Sequence, residues 1–218
     1  MRALMTAEEV TVQAGKVALQ GDLVIPDNAA AIVVFAHGSG SSRFSPRNRA
    51  VARTLNEGGL ATLLMDLLSM EEHRIDEQTG HLRFDIPFLA QRVVGAVDWV
   101  SEQDRTRQLR IGLFGASTGA AAALVGAAER PRVVGAVVSR GGRPDLATDW
   151  LRRVEAPTLL IVGGYDSAVI ELNREAAKLM KAENHIEIVP GAGHLFEEAG
   201  TLRKVAELAR DWFVKHLG

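Results

Sequence analysis

One serine in this sequence has the neighbours that a catalytic nucleophile needs. Residues 110–119 form a short apolar run that ends in Gly115-Ala116-Ser117-Thr118-Gly119. This G-x-S-x-G spacing is typical of a sharp strand-to-helix turn, which lifts a serine hydroxyl above the edge of a sheet. The alanine-rich residues 120–125 favour a helix at the position where the turn requires one. Ser117 is therefore the first candidate for a nucleophile.

Three other interpretations fit the same stretch. Residues 111–128 carry no charge and are 18 residues long, which is the lower end of a membrane-spanning length. Gly115 and Gly119 also have the G-x-x-x-G spacing of packed membrane helices. A Gly/Ala-rich helix without a catalytic role is the second alternative, and a chance match is the third. The remaining motifs have to decide between these three interpretations and a catalytic serine.

Two further residues would complete a catalytic triad with Ser117. A serine hydroxyl is a weak nucleophile unless an imidazole accepts its proton, and the imidazole needs a carboxylate to orient it. Asp166 and His194 each follow a predicted strand, and the order Ser, Asp, His is that of α/β-hydrolases. We therefore predict Ser117 as nucleophile, His194 as general base and Asp166 as the orienting carboxylate. Asp145 is the alternative carboxylate, and a helix cap is the alternative role for Asp166.

Attack on an acyl carbon creates an oxyanion, which needs fixed hydrogen-bond donors. The Thr118 N–H, in the first turn of the predicted helix, is one candidate donor. We assign the second to the Ser39 N–H, in a glycine-rich loop after a buried strand. Gly38 and Gly40 are predicted to contact substrate, because a chain without side chains can approach it closely. His37 is predicted to pack beneath this loop.

Three arginines are predicted to lie on loops near this site, namely Arg43, Arg140 and Arg143. They are either solvated or salt-bridged surface residues, or they form a basic rim that binds substrate. A guanidinium matches the shape of a carboxylate, so such a rim would favour acyl groups that carry one.

The elements that must position these residues follow from hydrophobic periodicity. Residues 10–26 alternate around a glycine turn, which predicts an antiparallel pair at the edge of a sheet. Apolar runs predict buried strands at 31–36 and 60–66. Further strands are predicted at 133–139, 157–162 and 185–189, besides the one before Ser117. Helices are predicted at 46–57, around 86–100, after Ser117, at 170–181 and around 202–213. Residues 69–83 form a polar excursion without a clear period, which we interpret as a surface loop or a partial lid.

Strands that alternate with helices predict an α/β fold with a mostly parallel sheet and helices on both faces. We expect one domain over residues 1–218, without a large cap. Of the 218 residues, 47% are hydrophobic and 24% are charged, and the net charge is −2. This balance gives no electrostatic reason for binding nucleic acid or an anionic membrane.

Several chemistries are excluded or unsupported by the residues present. The chain has no cysteine, which rules out disulfides, thiolate metal sites and a cysteine nucleophile. The glycines of the 38–43 segment lack the third glycine of a dinucleotide fingerprint, no phosphate-binding P-loop motif occurs, and no histidine pair has metalloprotease spacing. We therefore predict no cofactor and no metal. Because residues 1–9 lack the apolar core of a signal peptide, we expect a cytoplasmic protein. We also expect a monomer or homodimer whose partner is a small-molecule ester substrate.

Four segments together resemble the signatures of the α/β-hydrolase superfamily: His37-Gly38-Ser39-Gly40, Gly115-Ala116-Ser117-Thr118-Gly119, Gly164-Tyr165-Asp166 and Gly191-Ala192-Gly193-His194. The small size resembles the dienelactone-hydrolase-like branch, over residues 17–217. This resemblance implies carboxylesterase activity, and in that branch the same module sometimes lies beside a phosphoribosyltransferase. Dienelactone hydrolase itself uses a cysteine nucleophile, so Ser117 is a departure that favours ordinary ester hydrolysis.

The sequence therefore predicts a serine hydrolase that cleaves small carboxylic esters through an acyl-enzyme. The same machinery serves thioesters, lactones, peptides and acyl transfer, so those reactions remain alternatives. A non-catalytic ligand-binding protein on this fold is the alternative from another functional class.

Overall fold

A computed structural model describes residues 6–218 and shows one eight-stranded sheet with helices on both faces. The strands are β1 Glu8–Ala14, β2 Val17–Val24, β3 Ala31–Ala36, β4 Ala61–Met65, β5 Arg110–Ala116, β6 Val134–Arg140, β7 Thr158–Gly163 and β8 Asn184–Val189. The helices are α1 Pro46–Glu57, α2 Met70–Thr79, α3 Ile86–Glu102, α4 Thr118–Glu129, α5 Thr148–Leu151, α6 Ser167–Leu179 and α7 Thr201–Leu217.

The strand order places the predicted site at a break in the winding of the sheet. The order is β1-β2-β4-β3-β5-β6-β7-β8. β2 is antiparallel to both of its neighbours, β1 and β4, and all other neighbouring strands are parallel. The chain moves from β3 outward to β4 and then returns to the other side of β3 to form β5. Ligands of open α/β sheets bind in the crevice at such a switch point. The loops after β3 and β5, which carry Ser39 and Ser117, both open there.

Each face of the sheet buries its own apolar cluster, because side chains alternate between the faces of a strand. Val34 and Leu113 point to the face covered by α3 and α4. Phe35 and Phe114 point to the opposite face, where α1 and α7 pack. The centroids of these two rings lie 4.8 Å apart, within the second cluster.

The predicted fold class and edge hairpin are confirmed, as are the predicted strands, of which β3 and β4 are fully buried as expected. The uncharged stretch 111–128 is divided between β5, the turn at Ser117 and the 12-residue helix α4, so the alternative of a membrane span was wrong. No helix within residues 6–218 has the length and apolarity required to cross a bilayer.

The interpretation of residues 69–83 as a surface loop was wrong, whereas the partial lid stays a prediction. The segment forms α2 and a short 3₁₀ turn at Leu82–Phe84. Ser69 accepts from the Glu72 N–H while the Glu72 carboxylate accepts from the Ser69 N–H, which is a reciprocal capping box. The Ser-x-x-Glu spacing was readable in the sequence. The apolar periodicity was not, because this helix buries only Asp76.

Candidate active site

The turn at Ser117 holds its backbone in a conformation that L-residues rarely adopt. Ser117 has φ 51° and ψ −122°, between the last residue of β5 and the first of α4. Such a position persists only where the surroundings over-determine it. A side chain at Gly115 would overlap the backbone of Ala120, and one at Gly119 would overlap the carbonyl oxygen of Ala36. The two glycines therefore allow the close packing that fixes the serine.

The glycine-rich loop after β3 lies directly against this turn. A Cβ atom on Gly38 would be 3.1 Å from the Ser117 Cβ and 3.1 Å from the Ala116 oxygen. The Ser39 N–H, one of the predicted oxyanion donors, donates to the Thr118 Oγ1 at 3.0 Å. This contact brings the two predicted donors, the N–H groups of Ser39 and Thr118, to the same small region. It also means that the Thr118 hydroxyl occupies the Ser39 donor.

His37 supports the loop from below, in the position that the sequence indicated. Its Nε2 accepts from the Leu67 N–H at 3.0 Å, so its Nδ1 carries the proton and donates to the Gly38 oxygen at 3.0 Å. Burial lowers the pKa of His37, which keeps the ring neutral, as this pattern of bonds requires. A neutral ring fixes the loop without placing a charge beside Ser117.

Asp166 and His194 form a close pair on the loops after β7 and β8. The His194 Nδ1 lies 2.6 Å from the Asp166 Oδ2. Backbone bonds hold the two loops together, since the Tyr165 N–H donates to the Ala192 oxygen at 2.9 Å. Asp166 begins α6 but makes no side-chain capping bond, so its carboxylate serves the imidazole. Asp145, the alternative partner, pairs instead with Arg143.

Ser117 and His194 flank the backbone that leaves β6. The Ser117 N–H donates to the Arg140 oxygen at 3.2 Å. A Cβ atom on Gly141 would lie 3.6 Å from both Cε1 and Nδ1 of the His194 ring. No side-chain hydrogen bond joins Ser117 to His194 within residues 6–218. Catalytic hydrogen bonds are often long before substrate binds and tighten in the complex.

The three arginines proposed for the rim differ in their partners. Arg43 is held by Asp66 at 2.6 Å and by Asp22 at 3.3 Å, so it ties the loop to the sheet. Arg143 forms two hydrogen bonds with Asp145. Arg43 and Arg143 are thus salt-bridged, as the first of the two interpretations predicts, and their contact with substrate stays a prediction. Arg140 has no such partner, and its Nε and Nη1 are buried without a hydrogen bond.

A cleft of about 880 Å³ opens beside the glycine-rich loop, between β2 and α2. It is lined by residues that include His37, Ser41, Asp66, Met70 and His73, but by none of the predicted triad. No group of three histidine, aspartate or glutamate side chains within residues 6–218 is arranged to hold a metal ion. Two buried polar atoms without a hydrogen bond, which the sequence analysis did not single out, lie at the start of α1: the Arg47 Nε and the Asn48 Oδ1.

The family of this chain follows from a match over most of its length. The family model described as "Dienelactone hydrolase family" matches residues 19–214. The chain belongs to this family. A dienelactone hydrolase from Anabaena variabilis is 57% identical to this chain in sequence. Its crystal structure matches with a TM-score of 0.98, covering 99% of this chain and 100% of that chain. The fold and the resemblance to the dienelactone-hydrolase-like family that were predicted from the sequence are thereby confirmed.

Other members and neighbours extend the comparison. A relative from Mycobacterium tuberculosis, named "Putative phosphoribosyl transferase", is 56% identical over 211 residues, which are 96% of this chain and 46% of that protein. The chain thus spans about half the length of this relative. The structure of Est1E from Butyrivibrio proteoclasticus shares the fold with a TM-score of 0.79 at 18% identity, covering 95% and 98% of the two chains.

Proposed function

We propose that this protein is a serine hydrolase that cleaves small carboxylic esters through an acyl-enzyme. The observation that carries the proposal is the strained Ser117 at the switch point, together with the Asp166–His194 pair on the neighbouring strand ends. The family membership supports hydrolysis, and the residues at these three positions supply its chemistry.

In the proposed first step, the Ser117 Oγ attacks the ester carbon while the His194 Nε2 accepts its proton. The Nδ1–H of His194 donates to Asp166, which holds the reactive tautomer and stabilises the imidazolium that forms. The imidazolium then protonates the leaving alcohol, and an acyl group remains on Ser117. In the second step, His194 activates a water that hydrolyses this acyl-enzyme and restores the serine.

The tetrahedral intermediates need two donors for their oxyanion. The Thr118 N–H lies in the first turn of α4, where the helix dipole favours negative charge. The Ser39 N–H is the second donor, and the Thr118 hydroxyl must release it before an oxyanion can accept from it. Each such donor is worth about 10²–10³ in rate. A developing oxyanion is a stronger acceptor than a hydroxyl, so this exchange favours the transition state.

Apolar residues beside the proposed catalytic pair suit an ester with an apolar part. Tyr165 precedes Asp166 and is 75% exposed, and Leu195 follows His194 and is 41% exposed. Exposed apolar side chains that flank a polar centre are typical of ligand-binding surfaces.

A lactone, which is a cyclic carboxylic ester, is the second candidate substrate. It is supported by the 57% identity with the Anabaena variabilis protein, whose name is dienelactone hydrolase. The same two steps open a lactone ring, and the leaving alcohol then stays attached to the acyl group. A panel that contains linear esters, lactones and thioesters separates these possibilities.

The test is a kinetic comparison of three variants on that panel. Ser117→Ala removes the nucleophile, and we expect kcat to fall by up to about 10⁶-fold with folding unchanged, as triad members act as one unit. His194→Ala should give a loss of similar size. Ser101→Ala is the control, because that hydroxyl only bonds to its own helix in α3. Turnover retained in Ser117→Ala would contradict the proposed nucleophile, and no turnover by the native chain on the whole panel would favour a ligand-binding role.

A further inference from the structure

A buried arginine beside the proposed nucleophile has no partner in the protein. Arg140 ends β6, and 7% of its surface is exposed. Its side chain forms no hydrogen bond or ion pair within residues 6–218, and its Nε and Nη1 are buried. A buried charge without a partner is strongly unfavourable, and such groups concentrate at functional sites. The proposed ester hydrolysis does not use this side chain.

The alternation of β6 shows where the guanidinium lies. Ala136 and Val138 belong to the apolar cluster beneath α1 and α7. Arg140 has the same parity, so its side chain points to that face at the carboxyl edge of the sheet. Burial, and then the positive charge of Arg47 in α1, lower the pKa of Arg140 to about 10. The group stays charged at neutral pH, and it faces the first turn of α1.

The first turn of α1 brings further unpartnered polar groups to the same place. The Arg47 Nε and the Asn48 Oδ1 are buried without a hydrogen bond. Asn48 lies three, four and seven residues before Val51, Ala52 and Leu55, which contact the sheet, so it also faces inward. Arg47 pairs at 3.3 Å through its Nη1 with the exposed Glu197, and its Nε stays free. The helix N-terminus adds a partial positive charge.

We infer that Arg140, Arg47 and the first turn of α1 form a binding site for a phosphate group carried by the ester substrate. Three buried guanidinium nitrogens, two on Arg140 and one on Arg47, lack acceptors. A phosphate monoester offers three terminal oxygens and up to two negative charges, whereas a carboxylate offers two oxygens and one charge. The Asn48 amide can turn its NH₂ toward the anion. The helix N-terminus is a common phosphate site when side-chain donors accompany it.

The site lies within reach of the reacting atoms. The backbone of Arg140 accepts from the Ser117 N–H, and Glu197, which pairs with Arg47, follows His194 by three residues. A phosphate held between the arginines would therefore anchor one end of a substrate whose ester carbon lies at Ser117. This assignment of the anion to the substrate rests on the proposed function.

The first experiment measures anion binding without catalysis. In the Ser117→Ala background, inorganic phosphate at about ten times its Kd should raise the thermal midpoint by about 3 °C or more. Adding Arg140→Met should abolish this response and raise the midpoint without phosphate, because a buried unpaired charge is replaced by an apolar chain of similar length. Arg132→Gln, near the opposite end of β6, is the control and should keep the full response.

Because Ser117→Ala cannot turn over substrate, this arm is independent of the proposed hydrolysis. No response of the Ser117→Ala protein to phosphate, or an equal response after Arg140→Met, would overturn the site. A larger response to malonate than to phosphate at equal ionic strength would overturn the assignment to phosphate.

The second experiment tests whether the anion belongs to the substrate. Inorganic phosphate should raise the KM of the native protein for a phosphate-bearing ester and leave kcat unchanged, because both compete for the same site. The native protein should also prefer a phosphate-bearing ester over its neutral analogue, and Arg140→Met should reduce this preference by about 10- to 100-fold. Phosphate binding that leaves the KM unchanged would overturn the role in substrate recognition.

Discussion

Two regions at the carboxyl edge of the sheet are held in place by different forces. Around Ser117, which we call the elbow, positions are set by backbone packed on backbone, where Gly115 and Gly119 leave no space for a Cβ atom. In the segment 69–84, positions are set by polar side chains, through the capping box at Ser69 and the ion pair between Asp76 and Arg83. Close packing tolerates little displacement, whereas polar surface contacts are individually replaceable. The elbow is therefore suited to hold a reacting atom.

The largest effect is expected on activity, at the Asp166 carboxylate that orients the catalytic partner of the elbow serine. Asp166→Asn should lower kcat by about 10⁴-fold, because an amide stabilises neither the reactive tautomer of His194 nor its imidazolium. Stability should change little, since the Asn side chain fills the same volume. The measurement is steady-state hydrolysis with a parallel urea titration. Asp145→Asn is the matched control, and a larger loss of kcat there would reverse the assignment of the orienting carboxylate.

Packing at the elbow is tested by adding a single methyl group at Gly119. Gly119→Ala should destabilise the fold by about 3 kcal/mol, because the new methyl group overlaps the carbonyl oxygens of Ala36 and His37, which cannot move independently. Urea unfolding gives this value. Gly58→Ala is the control, since its Cβ would mainly meet the flexible Arg210 side chain at 2.9 Å. If the two substitutions cost the same, the elbow is not held by backbone packing.

The segment 69–84 should respond through charge instead. Burial raises the pKa of Asp76, but hydrogen bonds from the Arg83 backbone and side chain outweigh this and lower the pKa below its usual value. The carboxylate thus contributes stability that is present above its unfolded pKa of about 3.9 and is lost as the pH falls further. Asp76→Asn should cost about 2 kcal/mol at pH 7 and less at pH 3. Urea midpoints at both pH values measure this, and a pH-independent cost would contradict the ion pair as its source.

The capping box should give the smallest effect. Ser69→Ala removes the acceptor of the Glu72 N–H and should cost about 1 kcal/mol in unfolding free energy. Ser69→Asp, which can still cap the helix, should retain most of the stability. A cost of several kcal/mol would show that α2 is held as tightly as the elbow, and the distinction between the two regions would then fail.

The same contrast explains what the sequence could predict. The elbow and the site loops were readable because their glycines are required by local geometry, and local geometry leaves a signature within a few residues. The helix α2 was not predicted because its stabilising groups are polar and it has no apolar stripe. Its Ser-x-x-Glu start was the available signal.

The sequence could not show which of the three arginines has a carboxylate partner, and the reason is different. Arg43 is paired with Asp22 and Asp66, which are distant in the chain and meet it only in the folded sheet. Arg140 lies at an equally glycine-rich loop, yet its partners in space include another arginine and no carboxylate within ion-pair distance. Only the topology distinguishes a paired arginine from an unpaired one.

The central claim is that Ser117 is an activated nucleophile. A fluorophosphonate probe reacts with such serines, so intact-mass analysis followed by peptide mapping tests the claim directly. We expect one adduct per chain on Ser117, no adduct in Ser117→Ala, and much slower labelling in His194→Ala. An adduct on another residue, or no labelling of the native chain, would contradict the account.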